Sequence, residues 1–412
     1  MSESFRPNTL EQVAEAVTWA VAGKHSLQIA ASGTKSTLGR DVEIANQLNL
    51  GAFRNISLYE PEELVISAGA ATPLHKIEQA LAKSNQQLAF EPAHLGRLLG
   101  APTKRFGSDG GTLGGVIACN LAGPRRIRSG AARDHLLGFH AVSGRSEPFK
   151  SGGRVIKNVT GFDLSKLITG SFGTLAVMTE VSVRVLPTPE ETRTVLVLGC
   201  RDEDGVRALT QALQSPYEVS GAAHLPSDVV VLSKISPIAT AGGAVTAIRI
   251  EGPAPSVEVR CEAIRRLLAP FGAVEELSKK HSLAFWSEVR DVGFFVRDRE
   301  RQIWKMSVPP TVGTAVAAAL LSGTDGQCFY DWGGGLIWIS LPSAPDARHE
   351  LVRDAVAKSG GYATLIRAEP EVRARVPVFQ PQPAPLAALT RRVKDGFDPA
   401  RVLNPGRMYE GV

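Results

Sequence analysis

The stretch that decides the fold of this chain is GGTLGGVIACNLAGPRR, at residues 110–126. Its glycines let the backbone approach something bulky without intervening Cβ atoms. Two more segments rich in small residues follow, GGRVIKNVTGFDL at 152–164 and GSFGTLAVMTE at 170–180, and the strand-like VSVRVL at 181–186 ends the run. Together these segments predict the walls of a large dinucleotide site, and they suggest a flavin.

A second interpretation of residues 110–123 is tight packing between two layers of structure. A packing seam would explain Gly114 and Gly115, because glycine allows two backbones to come close. It explains Thr112, Asn120 and the Arg125-Arg126 pair less well, since a seam has no need of polar and basic side chains. Both interpretations stay open at this stage.

The composition is that of a globular protein of two or three domains. The chain has 412 residues, of which 43% are hydrophobic and 21% charged, and this balance argues against disorder. No apolar run reaches the roughly 18 residues of a membrane-spanning helix, and the N-terminus lacks a basic stretch followed by an apolar one. We therefore expect a cytoplasmic protein that would meet the inner membrane only peripherally, through partners.

Cysteine and histidine spacing gives no sign of a metal. The four cysteines, Cys119, Cys200, Cys261 and Cys328, form no C-x-x-C pair, so zinc, an iron–sulfur cluster and a disulfide framework are not predicted. The eight histidines are dispersed and include no H-x-H or H-x-x-x-H pair. Reduced thiols and no metal site are expected.

Positive charge is concentrated around the glycines. The net charge is +5, yet between Arg97 and Lys157 eight arginines and three lysines face three acidic residues, a local balance of +8. Solvated surface charge is the plain explanation, while the position beside the glycines favours a phosphate or an acidic partner surface. Nucleic-acid binding is not expected, because only 6% of the residues are aromatic and no stacking platform is evident.

Local patterns predict several elements along the first 190 residues. Thr9 and Gln12 form a capping box before an amphipathic helix, in which Leu10, Val13, Ala14, Val17 and Val21 share one face. Short apolar runs at 27–31 and 64–69 predict strands, and Thr72-Pro73 starts a second helix. Beyond residue 191, strands are expected at 194–198, 229–232, 244–250 and 336–341, alternating with helices at 204–213, 256–268 and 345–358.

The loop SGTKS at 32–36 follows the first predicted strand and is dense in donors. It is not a Walker A loop, because Thr34 separates Gly33 from Lys35 and no glycine stands at Gln28. No G-x-G-x-x-G occurs in the chain either, so the usual dinucleotide βαβ fingerprint is missing. Consecutive backbone N–H groups with the hydroxyls of Ser32, Thr34 and Ser36 would suit two phosphates, with Lys35 balancing charge. A plain Ser/Gly hairpin is the alternative.

The spacing of this loop to residues 110–123 and 155–187 resembles the flavin domain of the vanillyl-alcohol oxidase family, which has a PCMH-type FAD-binding fold. The likeness covers about residues 5–190 and 386–410, and is greatest to FAD-binding subunits of glycolate oxidase complexes. The resemblance implies an α+β protein: a two-part FAD-binding domain (1–190 and the returning segment 377–412) and a smaller α+β cap domain (191–376). It implies that FAD contacts Ala31, Ser32, Gly33, Thr34, Lys35, Ser36, Gly111, Thr112, Leu113, Gly114, Gly115, Ala118, Gly173, Thr174, Ala176 and Val177.

Covalent attachment of the flavin, which part of this family makes through His or Cys, has no anchor in Ser32–Ser36, so non-covalent FAD is expected. His94 lies near the segment expected to approach the isoalloxazine, although a hydrogen-bonded loop histidine is the plainer explanation. Relatives that oxidise 2-hydroxy acids carry an H-x-G-D-G-N-type motif in the cap. Here YDWGGGLIW stands at 330–338, and the histidines are absent.

Oxidation of a 2-hydroxy acid needs a cation for the carboxylate and a base for the hydroxyl proton. Arg290, Arg297 and Arg367 offer cations, but a clear base is missing, because Asp331 before a glycine turn is more typical of a turn residue. The resemblance then implies that this subunit binds FAD, while a paralogous FAD-containing subunit oxidises the small 2-hydroxy acid and an iron–sulfur subunit takes the electrons. A self-sufficient dehydrogenase and a scaffold without flavin remain alternatives.

Overall fold

The computed structural model describes residues 3–101, 110–153 and 162–412. The strands are β1 Ser4–Phe5, β2 Leu27–Ala30, β3 Asn46–Asn49, β4 Ile56–Glu60, β5 Val65–Gly69, β6 Gln86–Gln87, β7 Leu136–Ser143, β8 Pro148–Gly152, β9 Ala176–Arg184, β10 Leu186–Pro187, β11 Glu191–Leu198, β12 Gly221–Leu225, β13 Val245–Gly252, β14 Ala273–Leu277, β15 Gln302–Ser307, β16 Gln327–Asp331, β17 Leu336–Leu341 and β18 Tyr362–Arg367.

The helices are α1 Leu10–Gly23, α2 Leu74–Ala82, α3 Leu113–Ala118, α4 Arg126–Ser129, α5 Ala132–His135, α6 Leu164–Ile168, α7 Asp202–Leu213, α8 Ser227–Val230, α9 Ser236–Ala239, α10 Ala254–Leu268, α11 Lys279–Arg290, α12 Gly313–Leu321, α13 His349–Ala357, α14 Pro370–Arg375 and α15 Ala384–Phe397. The mixture of helices and strands confirms the predicted α+β class. None of the helices in the described part of the chain is long and apolar enough to cross a membrane.

The chain divides into two compact units. Unit 1 consists of Met1–Ala122, Gly130–Pro187 and Pro377–Val412, and unit 2 of Gly123–Ser129 and Thr188–Val376. The C-terminal segment therefore returns to the unit that contains the N-terminus. The short segment Gly123–Ser129 groups with unit 2, whereas the sequence-based division placed it in the first domain.

Unit 1 is built on a five-stranded sheet in the order β4-β5-β9-β7-β8 and a parallel three-stranded sheet in the order β1-β3-β2. Helix α1 begins at a hydrogen bond from the Gln12 N–H to Thr9 Oγ1, as the capping box predicts. Its buried face is Val13, Ala16, Val17 and Ala20, which pack with residues of β2, β3, β7 and β9. Val21, predicted for this face, is 36% exposed.

Within unit 1, a buried ion pair holds the C-terminal segment against the segment that contains Thr174. The Lys394 ammonium donates to Asp398 Oδ2 at 2.7 Å, to the Thr174 carbonyl at 2.7 Å and to the Leu403 carbonyl at 3.0 Å. The Asp398 carboxylate also accepts from the N–H groups of Val402 and Leu403. Both charged groups are thus fully hydrogen-bonded, which is the condition under which a buried pair is tolerated.

Unit 2 contains one antiparallel sheet of eight strands in the order β14-β11-β13-β12-β16-β17-β15-β18. Helices α7 and α10 cover one end of it, where their apolar residues join those of β11 and β13 in a common core. Most predicted elements of this unit are present. The predicted strand at 229–232 is wrong: the N–H groups of Val229 and Val230 both donate to the Pro226 carbonyl, so this valine-rich run forms the short helix α8.

Candidate cofactor site

Unit 1 contains a cavity of about 330 Å³ beside the end of β2. Most of the predicted FAD-binding residues line it: Ala31, Ser32, Gly33, Thr34, Lys35, Ser36, Thr112, Gly114, Gly115, Ala118, Gly173 and Ala176. Residues from three of the segments that carried the prediction, at 31–36, 112–118 and 173–176, therefore share one cavity although they are far apart in the chain. Direct contact of these residues with FAD stays a prediction.

Four predicted residues do not line the cavity. Leu113 and Val177 are fully buried in the core, and Thr174 hydrogen-bonds the Ser171 carbonyl with its hydroxyl and Lys394 with its own carbonyl. Gly111 lies just behind the loop, because a Cβ on it would be 2.3 Å from Thr34 Oγ1. These four residues hold the walls of the cavity in place.

The loop Ser32–Ser36 offers unused backbone donors to the cavity. Gly33 adopts φ +76°, a conformation that glycine allows, and a Cβ there would meet no atom within 4 Å. Within residues 3–101, 110–153 and 162–412, no acceptor takes the N–H groups of Ser32, Gly33, Thr34 or Lys35; the Ser36 N–H donates to the Gly33 carbonyl. Successive free N–H groups of this kind form an anion-binding concavity.

Lys35 gives the cavity a buried positive charge. Lys35 is 8% exposed, and among the described residues its ammonium hydrogen-bonds only the Gly110 carbonyl at 3.2 Å and Thr34 Oγ1 at 3.4 Å. No carboxylate pairs with it in the described part of the chain. Burial consequently lowers the pKa of Lys35, since an ammonium without a counter-ion is poorly solvated there.

The C-terminal segment completes the cavity with two residues that sequence analysis did not select. Asn404 accepts from the Ile29 N–H at 2.9 Å and donates to the Phe172 carbonyl at 2.8 Å, so it joins two walls. Arg407 donates to the Lys35 carbonyl at 2.7 Å, which places a second cation beside the loop. The motif Asn404-Pro405-Gly406-Arg407 was the available signal for both.

Cys119 also lines the cavity, at the C-terminal end of α3. Burial raises the pKa of its thiol, although the positive charges of Lys35 and Arg407 act in the opposite direction. A thiol held protonated is a poor nucleophile. Cys119 therefore contributes a small, uncharged part of the cavity wall.

The two glycines of α3 have different roles. A Cβ on Gly114 would lie 2.6 Å from Ala70 Cβ and 2.8 Å from the Ala70 carbonyl oxygen, and the Gly114 N–H donates to that same carbonyl. At Gly115 the nearest atoms are Thr112 Oγ1 at 3.2 Å and the Lys35 ammonium at 3.8 Å. The packing-seam interpretation therefore describes Gly114, while Gly115 faces the polar side of the cavity.

Two of the basic residues after the glycines have acidic partners. Arg125 makes a two-point ion pair with Glu251, with its closest contact at 2.6 Å, and Arg128 pairs with Glu218 at 3.0 Å, all within unit 2. Both arginines thus have acidic partners within the chain. The other predicted charges at Lys104, Arg105, Asp109, Arg154 and Lys157 lie outside the described residues, as does the stretch 155–161.

Three residues considered for cofactor or substrate contact interact instead with neighbouring groups of the chain. His94 Nε2 lies 3.3 Å from Glu78 Oε1, and the Asp331 carboxylate accepts from the Trp332 N–H at 2.7 Å at the head of a tight turn. The Arg367 guanidinium donates hydrogen bonds to the carbonyls of Arg301 and Phe295. Across the described ranges no group of three or more His, Cys, Asp or Glu side chains could hold a metal ion.

The donor set fits a pyrophosphate: a run of free N–H groups, an uncompensated ammonium and a neighbouring guanidinium surround one cavity. A family described as "FAD binding domain" matches residues 4–151, which contain this loop and helix α3. The fold and the site therefore define an FAD-linked oxidoreductase subunit, and its cofactor is FAD.

The chain is 33% identical to the glycolate oxidase subunit GlcE of Escherichia coli (strain K12), over 96% of both chains. It is 25% identical to the glycolate oxidase subunit GlcD of Bacillus subtilis (strain 168), over 72% of this chain and 68% of that one. The chain belongs to the family of the glycolate oxidase subunit GlcE.

Solved structures show the same fold at low identity. A p-cresol methylhydroxylase with substrate bound matches with a TM-score of 0.72 at 14% identity, over 98% of this chain and 88% of the other. A 4-ethylphenol oxidase from Gulosibacter chungangensis gives the same score over 99% and 89%. These likenesses confirm the PCMH-type fold expected from the sequence.

Proposed function

We propose that this chain is the FAD-binding subunit of a glycolate oxidase complex. The observation that carries the proposal is its 33% identity to a glycolate oxidase subunit, maintained over 96% of both chains. Such end-to-end similarity supports a shared role for both units, including the part of the chain outside the FAD-binding match at 4–151.

In this proposal FAD is held non-covalently by unit 1. The N–H groups of Ser32 to Lys35 bind the phosphates, the Lys35 ammonium neutralises them, and Arg407 keeps the loop in position through the Lys35 carbonyl. Neither His nor Cys occurs in Ser32–Ser36 to attach the flavin, and burial keeps the Cys119 thiol protonated. The chemistry that bound FAD supplies at this cavity is two-electron acceptance.

Oxidation of the 2-hydroxy acid is assigned mainly to a paralogous FAD-containing partner. Asp331, the candidate base in unit 2, uses its carboxylate to accept from the Trp332 N–H. The four cysteines are free and dispersed, so onward electron transfer would need an iron–sulfur partner subunit. The complex would be cytoplasmic and peripheral at the inner membrane through these partners.

The decisive experiment uses the chain purified alone and then in its co-expressed complex. The chain alone should retain FAD, release it intact on denaturation, and keep its visible flavin absorbance when glycolate or D-lactate is added without oxygen. In the complex, glycolate should bleach the visible absorbance of the flavin. Rapid bleaching of the chain alone would replace this proposal with a self-sufficient dehydrogenase, and a colourless chain that takes up no FAD would replace it with a scaffold.

A further inference from the structure

Unit 2 contains two cations that share one aromatic cluster. The Lys305 ammonium, on β15, lies 5.2 Å from the ring centroid of Trp332 and 5.6 Å from that of Trp338. The Arg126 guanidinium carbon lies 4.7 Å from the same Trp332 ring. Two positive charges therefore face one indole, an arrangement whose mutual repulsion favours an anion between them.

Neither cation makes a direct ion pair in the ranges that the structure describes, and the one carboxylate whose charge acts on Lys305 is that of Asp331, so two cations share a single acidic group. Arg126 differs in this respect from Arg125 and Arg128, its neighbours in the same segment, which pair with Glu251 and Glu218. The Lys305 ammonium makes no hydrogen bond to a described residue, and the nearby Asp331 carboxylate accepts from the Trp332 N–H. Burial, followed by the charge of Arg126, lowers the pKa of Lys305 to about 8, while the negative charge of Asp331 acts in the opposite direction.

Sheet geometry places the cluster on one face of unit 2. Lys305 lies directly opposite Trp338 on β17, so their side chains share a face. The preceding residue of the strand, Trp304, points to the other face, where Arg353 of α13 lies over its ring. Lys305, Arg126 and Trp332 are half-buried and retain contact with solvent. Three of the four side chains of the cluster thus keep part of their surface exposed.

The walls of this cluster indicate the size and chemistry of a ligand. Trp338 is 5% exposed, and Trp332 is fixed by a hydrogen bond from its indole N–H to the Gly123 carbonyl at 3.1 Å. The two indole rings hold the cations close together through cation–π contacts, and an ammonium with a guanidinium suits a small carboxylate.

We propose that Lys305 and Arg126 form a carboxylate-binding site on unit 2, walled by Trp332 and Trp338, for a small 2-hydroxy acid. The choice of a 2-hydroxy acid rests on the proposed function, whereas the carboxylate site rests on the cluster itself. This chain would then bind the acid even though the described residues supply no evident base to oxidise it.

The test measures binding directly, through tryptophan fluorescence and calorimetry of the full FAD-loaded chain. Glycolate should bind, and glycolamide, which lacks the carboxylate charge, should bind at least tenfold more weakly. Lys305→Met should raise the Kd for glycolate about tenfold or more, and Arg126→Leu should also raise it. Lys305→Arg, which restores a cation, should return the Kd to within about threefold of the unmodified chain.

Lys280→Met is the matched control, because Lys280 is exposed on helix α11 of the same unit. Its Kd should not change. An unaltered Kd for glycolate in Lys305→Met, with a melting temperature showing that the variant is folded, would overturn the site. So would equal binding of glycolamide.

The failure of this site and that of the proposed function are distinguishable. Acetate binding as tightly as glycolate, in a chain whose complex does not oxidise glycolate, would uphold the carboxylate site and remove the glycolate function. Glycolate oxidation by the complex together with an unchanged Kd in Lys305→Met would uphold the function and overturn the site.

Discussion

Two segments of the cavity wall in unit 1, the loop Ser32–Ser36 and helix α3, are both rich in glycine and yet use it differently. In the loop, Gly33 opens the backbone and leaves the N–H groups around it without acceptors among the described residues. In the helix, the Leu113 and Gly114 N–H groups donate to the Thr72 and Ala70 carbonyls, and Gly114 is packed against Ala70. Glycine in the loop exposes donors, whereas Gly114 in the helix permits close packing.

The largest effect is expected from a substitution of Gly114, the glycine that permits close packing. In Gly114→Val, the branched side chain would collide with the Ala70 backbone, so we expect a loss of about 3 kcal/mol in the free energy of unfolding, with FAD lost as a consequence. Thermal and denaturant unfolding of the FAD-free chain measure it. Gly115→Ala, one residue later, should cost less, because its closest contact is a single hydroxyl, that of the helix N-cap Thr112 at 3.2 Å, and not backbone.

If Gly114→Val released FAD while the FAD-free chain kept its full stability, Gly114 would instead lie against the cofactor. The comparison between loop and helix would then fail, since both glycines would be making room for the ligand.

The donor side of the comparison is tested by Lys35→Met, which keeps the length of the side chain and removes its charge. We expect FAD affinity to fall about ten- to a hundredfold, the effect of losing a charge-assisted hydrogen bond to phosphate. Stability of the FAD-free chain should not fall, because an uncompensated buried cation is removed. Fluorescence titration of the apoprotein with FAD gives the affinity.

Lys83→Met is the control, since Lys83 is exposed in the same unit. Equal FAD affinity in the Lys35 and Lys83 variants would show that the Lys35 ammonium does not bind the phosphates.

A smaller effect is expected from Gly33→Ala. The added methyl meets no atom within 4 Å, so the cost of about 1 kcal/mol comes from the left-handed backbone alone, and FAD occupancy should fall modestly if the loop relaxes. Gly396→Ala is a matched control with the same open surroundings but inside helix α15, where alanine should be neutral or slightly stabilising. A stability gain in Gly33→Ala would mean that the loop does not need its left-handed residue.

The sequence could predict the loop and not its partners for a physical reason. The loop Ser32–Ser36 could be predicted because its strand, its turn and its hydrogen-bond donors are adjacent in the chain. Arg407 contacts Lys35 across 372 positions, and such a contact leaves no local pattern. Gly114 and Gly115 are the same residue type in neighbouring positions, so the sequence cannot distinguish them. Their roles differ because only Gly114 packs against Ala70. Val229 to Leu232 favours a strand by composition, but the preceding Pro226 carbonyl captures its N–H groups.

The smallest and most specific effect concerns pH. Burial lowers the pKa of Lys35 in the folded chain, so its ammonium loses the proton at a lower pH than in the unfolded chain. As pH rises through that lowered pKa, the phosphates lose their counter-charge and FAD affinity should fall. Over the same range the unfolded chain binds more protons than the folded one, so the stability of the FAD-free chain should rise.

Two opposite slopes from one residue provide a sharp readout. Lys35→Met should flatten the slope of FAD affinity and reduce the slope of stability, to which Lys305, with its pKa lowered to about 8, also contributes in both proteins. Cys119, whose pKa burial raises, contributes little near neutral pH. FAD titrations and melting curves of the two proteins between neutral and alkaline pH measure the slopes. If the unmodified chain and Lys35→Met lose FAD in parallel as pH rises, the charge at Lys35 is not what holds the phosphates, and the loop acts through its backbone donors alone.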